Sequence, residues 1–197
     1  MLEIMELSKL LGDFGQIERA AKLPDGRQES DSHHSFSLAL ISFELATQFA
    51  PELDVKKILL YSLVHDLPEL ITGDVNTLTS TPEELALKSQ QDKDAVAKVK
   101  EAFKNAPSIV DAIEAYESKE DEESLFVYWI DKMATIPNHF YDNGKNLRTL
   151  GITNRADIQK WYEHTLGKLG KHKQAHSSAV QILEIAYTKM HDELFDS

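Results

Sequence analysis

The stretch "DVKKILLYSLVHDLPELITGD" at residues 54–74 decides the fold class of this chain. Its first half carries apolar residues at the three- and four-residue steps of a helix, and Asp54 stands where a helix N-cap is expected. Towards Val64 the segment is apolar nearly all round, which is typical of a central buried helix. Four groups that can bind metal or exchange protons then follow: His65, Asp66, Glu69 and Asp74. The stretch therefore predicts a core helix that leads into a site.

Helical periodicity also dominates the rest of the chain. Residues 34–50 carry an apolar stripe at steps of three, four and seven residues, which predicts the core-facing side of a helix. The members of that stripe are Phe36, Leu40, Phe43 and Ala50. Further helices are predicted at residues 1–14, 81–103, 108–118, 120–140, 154–170 and 177–195, with Thr81 as an N-cap, Pro82 at a first helical position and an end or kink near Pro137.

Strand signals are almost absent, and no repeat, low-complexity tract or linker divides the chain. We therefore predict an all-α fold, a single-domain bundle of about seven or eight helices over residues 1–197. The residues that carry chemical motifs lie at about 15–140, and the helices at 155–195 are expected to pack on that core.

The charge balance excludes some classes of partner. With 21 basic and 33 acidic residues the net charge is −12, so the surface repels a phosphate backbone and a nucleic-acid polymer is not an expected ligand. Small phosphate esters stay open, because a metal ion and one or two arginines can reverse the potential locally. No apolar run approaches a membrane span, so no membrane contact is expected. There is no cysteine, which favours a cytoplasmic location and excludes thiolate metal sites.

Two more residues stand in contexts that suit a metal site. His34 begins a predicted core helix, and Asp131 is an acid inside the apolar segment "LFVYWIDKMATI". Lys132 is a weak partner for Asp131, because adjacent residues of a helix do not face each other. Two imidazoles and two carboxylates suit Mn²⁺, Fe²⁺, Co²⁺ or Zn²⁺ with positions left for water. The other histidines after His34 and His65 lie in charged, solvated segments: His139, His164, His172, His176 and His191.

These residues and their order resemble the HD-domain metal-dependent phosphohydrolases, whose pattern is His…His-Asp…Asp on helices of one bundle. The segment "RQESDSHHSFSLALIS" at 27–42 resembles R-x-E-(S/N)-x-x-E-H-S, and "VHDLPELITGD" at 64–74 resembles H-D-x-x-E-x-x-x-G-D. Both motifs are most similar to those of the bacterial 5′-deoxynucleotidase branch and related phage nucleotide phosphohydrolases. The resemblance covers about residues 15–140.

The resemblance implies a role for each matching residue. One divalent ion (Mn, Co, Fe, Zn or Mg) would be held by His34, His65, Asp66 and Asp131. Glu69 and Asp74 would orient or deprotonate the attacking water, while Arg19 and Arg27 would bind the substrate phosphate. Two positions differ from the branch: His33 replaces an acidic residue and could compete as a ligand, and Ala20 replaces a tryptophan associated with base stacking.

The function expected from this resemblance is hydrolysis of deoxynucleoside 5′-monophosphates to a deoxynucleoside and phosphate. One alternative is removal of triphosphate from a dNTP at the same metal centre. The other is a non-catalytic, metal-bound helical domain that binds proteins. The resemblance also implies a homo-oligomer, a dimer or larger.

Overall fold

A computed structural model describes residues 2–23, 25–74, 94–134, 143–169 and 177–195. The described part is mostly helical and contains one short hairpin. Its elements are α1 (Leu2–Phe14), β1 (Glu18–Lys22), β2 (Gln28–Ser30), α2 (Asp31–Phe49), α3 (Val55–Val64), α4 (Glu69–Thr72), α5 (94–102), α6 (Pro107–Ser118), α7 (Glu122–Ala134), α8 (Lys145–Thr149), α9 (Arg155–Leu169) and α10 (Ser177–Phe195). The predicted all-α fold class is therefore confirmed.

The centre of the fold is formed by α2, α3 and α7, which pack against one another. Leu38, Ile58 and Phe126 come from these three helices and are fully buried in one apolar cluster. Ile158 of α9 and Ala179 of α10 belong to the same cluster, so the C-terminal helices share this core. Among the described residues, no helix is long and apolar enough to cross a bilayer.

A second apolar cluster supports the turn that carries His65 and Asp66. Val64 and Leu67, which flank these two polar residues, are buried against Phe14 of α1 and Phe103 beside α5. Burial of apolar side chains on both sides of the polar pair fixes the turn against the protein interior. The turn therefore holds His65 and Asp66 in fixed positions.

Local sequence signals explain where the central helices begin and end. Asp54 caps α3 as predicted, since its side chain accepts a hydrogen bond from the Lys56 backbone N–H. Ser30 caps α2 through the His33 N–H, which places His34 in the first turns of the helix. α3 ends at Val64 because Pro68 cannot donate to the helical ladder, and residues 65–68 form a turn.

The predicted core-facing stripe of α2 is wrong in three of its four members. Phe36, Leu40 and Phe43 are 61%, 54% and 37% exposed, while Ala50 is buried as predicted. The buried side of α2 carries mostly small or polar side chains: His34, Ser35, Leu38, Ala39, Ser42 and Ala46. Small side chains let α2 approach α3 and α7 closely, and the hydrophobic pattern alone could not show that packing.

The antiparallel hairpin of β1 and β2 was not predicted, because its strands are short and carry few β-branched or aromatic residues. Several other predictions lie outside the described residues, namely those for Thr81, Pro82, Pro137, His139, His172 and His176 and for the side chains of His164 and His191.

Candidate metal centre

Two helices and one turn bring the four predicted metal ligands together. His34 comes from α2, Asp131 from α7, and His65 with Asp66 from the turn after α3. Single ligand atoms of His34, His65 and Asp66 all lie within 4.8 Å of one another. Asp131 Oδ1 lies 2.9 Å from His34 Nε2 and 3.6 Å from His65 Nε2. Residues separated by up to 97 positions therefore face one point in the core.

The orientation of His65 fits a metal ligand. The ring is buried, and Nδ1 lies 2.9 Å from the carbonyl oxygen of Ser62, to which Nδ1–H donates. That bond assigns the proton to Nδ1 and leaves Nε2 turned to the cluster, 2.8 Å from Asp66 Oδ2. Metal-binding histidines are commonly oriented in this way by a carbonyl or carboxylate on the other ring nitrogen. The donor set of two imidazoles and two carboxylates fits a divalent cation.

Asp131 uses its two oxygens for different partners. Oδ1 faces the histidines, whereas Oδ2 accepts a bond from Lys132 Nζ. The expectation that Lys132 is a weak partner for Asp131 is therefore wrong. The Lys132 side chain is long enough to fold back over the Tyr128 ring, 5.0 Å from its centroid, so the reach of the chain outweighs the divergence of the two Cβ atoms.

The electrostatics of the cluster favour one positive charge at its centre. Burial lowers the pKa of His65, but Asp66 and Asp131 outweigh it and raise the pKa to about 10. Burial favours neutral carboxyls, yet His65 holds the pKa of Asp66 below its usual range and Lys132 does the same for Asp131. A proton on His65 supplies the positive charge without metal. A divalent ion would displace this proton, so binding and proton release are coupled.

Arg19 is held within a group of carboxylates next to the four ligands. Its Nη1 lies 2.6 Å from Asp66 Oδ2 and 3.1 Å from Asp31 Oδ1, and its Nε lies 3.8 Å from Glu29 Oε2. Burial opposes the charge on Arg19, but Asp66 and the neighbouring acids raise its pKa above the usual arginine value. The hairpin therefore brings Arg19 to the centre, as the motif predicts, with its charge already matched by acids.

Glu69 and Asp74 lie at the same edge of the cluster. Burial, followed by the charges of Asp66 and Asp31, raises the pKa of Glu69 to about 10. Asp74 Oδ2 accepts a hydrogen bond from the Ala20 N–H at 3.3 Å, which joins the end of α4 to β1. Both predicted water-handling carboxylates are thus close to the proposed ligands and to Arg19.

Asp31 is an acidic residue of this edge that the sequence reasoning missed. It is fully buried in the first turn of α2, and atoms of Asp31, Asp66 and Glu69 lie within 4.8 Å of one another. Burial and the charge of Asp66 raise its pKa to about 6 despite the contact with Arg19. Its position next to the N-cap Ser30 suggests only a favourable helix-dipole contact, so the sequence offered no sign of a site role.

Two other candidates lie away from the cluster. Arg27 is 77% exposed in the hairpin turn, where its Nε lies 2.7 Å from Asp25 Oδ2. The structure does not bring it to the proposed ligands. His33 is exposed, while the neighbouring His34 is buried among the ligands. The geometry therefore favours His34 over His33 as the first ligand.

Comparison with known proteins is consistent with this site. A model of the HD domain family matches residues 12–181. A 5′-deoxynucleotidase from Dictyostelium discoideum is 27% identical over 191 residues, which cover 92% of this chain and 97% of that protein.

Solved structures share the fold at lower identity. A predicted metal-dependent phosphohydrolase from Magnetospirillum magnetotacticum is 20% identical, with a TM-score of 0.68 over 95% of this chain and 91% of that one. A conserved hypothetical protein from Pyrococcus furiosus is 24% identical, with a TM-score of 0.61 over 93% and 99% of the two chains. With the family model matching most of its length and the His…His-Asp…Asp residues meeting at one point, the chain belongs to the HD domain family.

Proposed function

We propose that this HD-type metal-dependent phosphohydrolase converts deoxynucleoside 5′-monophosphates to deoxynucleosides and orthophosphate. One observation carries the proposal: His34, His65, Asp66 and Asp131 meet at a buried point, with the Ser62 carbonyl orienting His65 so that Nε2 faces the other ligands. The full-length similarity to the Dictyostelium discoideum 5′-deoxynucleotidase supports the choice of substrate class.

In this proposal the four residues hold one divalent ion, for which Mn, Co, Fe, Zn and Mg are the candidates. When bound, such an ion lowers the pKa of water and polarises a phosphoryl oxygen. The chain itself supplies a fixed donor set, a buried setting that strengthens charge interactions, and carboxylates at the edge of the cluster.

Glu69 is proposed to take the proton of the attacking water because it lies beside Asp66 and Asp31 at the edge of the cluster. In the metal-free chain, burial and the charges of these two acids raise the pKa of Glu69 to about 10, and added positive charge at the centre would favour the carboxylate form that accepts a proton. Asp74 fixes the hairpin through the Ala20 N–H and so positions Arg19 next to Asp66. As the water oxygen bonds to phosphorus, the bond from phosphorus to the 5′-oxygen breaks and the sugar leaves as its alcohol after protonation. Arg19, which lies next to Asp66, is the arginine proposed to contact the phosphate.

A substrate screen tests the proposal. The purified protein is incubated with dNMPs, NMPs and dNTPs, each with added Mn²⁺, Co²⁺, Mg²⁺ or Zn²⁺, and the products are separated. Orthophosphate and a deoxynucleoside from dNMPs are the expected products. Tripolyphosphate from dNTPs would replace the proposal by the triphosphohydrolase alternative, and metal binding with no turnover of any nucleotide would favour the non-catalytic alternative.

The proposal includes two further properties. Self-association into a dimer or larger assembly follows from the family resemblance, and light scattering coupled to size-exclusion chromatography measures it. A cytoplasmic location stays a prediction that rests on the absence of cysteine.

A further inference from the structure

The two arginines proposed to bind the phosphate are already paired with carboxylates. Arg19 is surrounded by the carboxylates of Glu29, Asp31 and Asp66, and Arg27 is exposed and paired with Asp25. A dianionic phosphate monoester approaching a chain of net charge −12 needs positive charge that acids have not already matched. That charge lies on the Asp131 side of the metal centre.

Two lysines lie there, and the first is Lys132, whose charge is shared with Asp131. Its Nζ contacts Asp131 Oδ2, the carboxylate oxygen turned away from the histidines. The Lys132 side chain is 35% exposed, and its ammonium group contacts one of the four proposed metal ligands directly. The ammonium group also lies near the Tyr128 ring, with 5.0 Å between Nζ and the ring centroid, which is within the range of a cation–π contact.

The second is Lys119, which supplies the unmatched charge. Its Nζ lies 3.2 Å from the centroid of the Tyr116 ring, donates to the Tyr116 carbonyl oxygen at 2.6 Å, and lies 5.7 Å from the centroid of the Tyr128 ring. Tyr116 in turn packs edge-on against His65, with 6.1 Å between ring centroids. Within the part of the chain described by the structure, no carboxylate forms an ion pair with Lys119.

The backbone also holds Lys119 in place. Lys119 ends α6 in the left-handed conformation, with φ of +51°, which a residue with a side chain rarely adopts. This conformation turns the side chain back over the last turn of α6 and onto the Tyr116 ring. A strained residue that keeps a half-buried ammonium next to the aromatic ring that packs against His65 is typical of a functional position.

We propose that Lys119 and Lys132 form an anion subsite, flanked by the Tyr116 and Tyr128 rings, that binds the phosphate group of the substrate. The proposal rests on the proposed function and adds the residues that recognise the anion. Lys119 is the lysine that forms no ion pair among the described residues. Lys132 would contact both the anion and Asp131. Two ammonium groups that lie 5.7 and 5.0 Å from the centroid of the same Tyr128 ring suit the two negative charges of a phosphate monoester.

Replacement of Lys119 gives the first test. With dNMP substrate, Lys119→Met is expected to raise KM about tenfold or more and to change kcat by less than about threefold, because one charge-assisted contact to the ground-state anion is removed. The Mn²⁺ content is expected to stay unchanged. Lys104→Met is the matched control, since Lys104 is an exposed lysine paired with Glu101, and its KM is expected to equal that of the unsubstituted protein.

A binding measurement separates this proposal from the proposed function. Inorganic phosphate is titrated into the Mn²⁺-loaded protein by calorimetry, which needs no turnover. Phosphate affinity is expected to fall about tenfold or more in Lys119→Met and to stay within about threefold in Lys119→Arg, which keeps the charge. The subsite would be overturned if Lys119→Met bound phosphate as tightly as the unsubstituted protein, or if Lys119→Met and Lys119→Arg lost the same affinity. It would also be overturned if the unsubstituted protein bound no phosphate. These outcomes do not depend on the result of the nucleotide screen.

Folding is checked by the thermal unfolding midpoint of each variant. If Lys119→Met does not fold, Lys119→Gln takes its place in the same two measurements, since the amide can still donate a hydrogen bond but carries no charge. Retained phosphate affinity in Lys119→Gln overturns the proposal, and loss of affinity with Mn²⁺ still bound supports it.

Discussion

The two sides of the metal centre differ in the sign of their charge. On the hairpin side, Glu69 and Asp31 surround Arg19, so carboxylates outnumber cations. On the α7 side, Lys132 contacts Asp131, and Lys119 lies over the Tyr116 ring that packs against His65. Proton transfer from water requires the first kind of environment, and recognition of an anion requires the second. We therefore propose that the hairpin side handles the attacking water and that the α7 side supplies the lysines that add to Arg19 in binding the phosphate.

The largest expected effect comes from a change at the centre that both sides share. His65→Ala removes an imidazole that Ser62 orients and that lies 2.8 Å from Asp66. We expect loss of Mn²⁺ binding and a fall in dNMP hydrolysis of about a thousandfold or more, because the metal-dependent step fails altogether. Metal content by atomic emission and orthophosphate release measure this. Full activity in a variant that binds no Mn²⁺ would show that hydrolysis does not depend on this metal centre.

A change confined to the hairpin side is expected to have the next largest effect. Glu69→Gln keeps the shape of the side chain but cannot accept the proton of water. We expect kcat to fall about 10²- to 10⁴-fold with Mn²⁺ still bound and KM nearly unchanged. A rise in KM with kcat unchanged would instead assign Glu69 to substrate binding.

The stability of the metal-stripped protein is expected to depend on pH. The pKa of His65 and that of Glu69 are both raised to about 10, from 6.5 and 4.5. The folded state thus keeps protons that the unfolded chain loses, and their contribution to stability is full below the unfolded values and lost as pH rises through about 10.

The free energy of unfolding in EDTA should therefore fall between pH 7 and 10, by on the order of a few kcal/mol. Urea unfolding followed by circular dichroism at each pH measures this fall. Glu69→Gln is the matched control and should show a smaller fall, and added Mn²⁺ should reduce it in the unsubstituted protein. A stability that stays level or rises over this range would contradict the charge arrangement of the centre.

The smallest effect is expected at Arg27, which the family motif assigns to the phosphate. Its guanidinium is exposed and paired with Asp25 rather than with the cluster. Arg27→Met should therefore change kcat/KM by less than about twofold, since an exposed ion pair contributes little. Steady-state kinetics with dNMP decide, and a tenfold loss would show that the hairpin closes over the substrate.

The sequence predicted the fold class, which the structure confirms, and four candidate metal ligands, because both depend on local pattern. An apolar helix that runs into His65-Asp66 is visible in one segment, and His34 and Asp131 stand in similar apolar contexts. Their convergence was expected from the family pattern, and the structure brings all four side chains together.

Other features depend on packing that no single segment reveals. Phe36 was assigned to the core because it is large and apolar, yet close packing of α2 turned the small residues Ser35 and Ala39 inward. The positions of Asp31, Lys119 and Lys132 depend on neighbours far along the chain or on a side chain that folds back. Their residue types and spacing therefore gave no sign that they lie at the site.

We propose that His34, His65, Asp66 and Asp131 together hold one divalent ion. The most direct test of this proposal is calorimetric titration of Mn²⁺ into EDTA-stripped protein near pH 7.5, in two buffers of different ionisation enthalpy. We predict one ion per chain, release of protons on binding because the ion displaces the proton of His65, and loss of binding in Asp66→Asn. Absence of saturable binding, or equal binding in Asp66→Asn, would contradict the account.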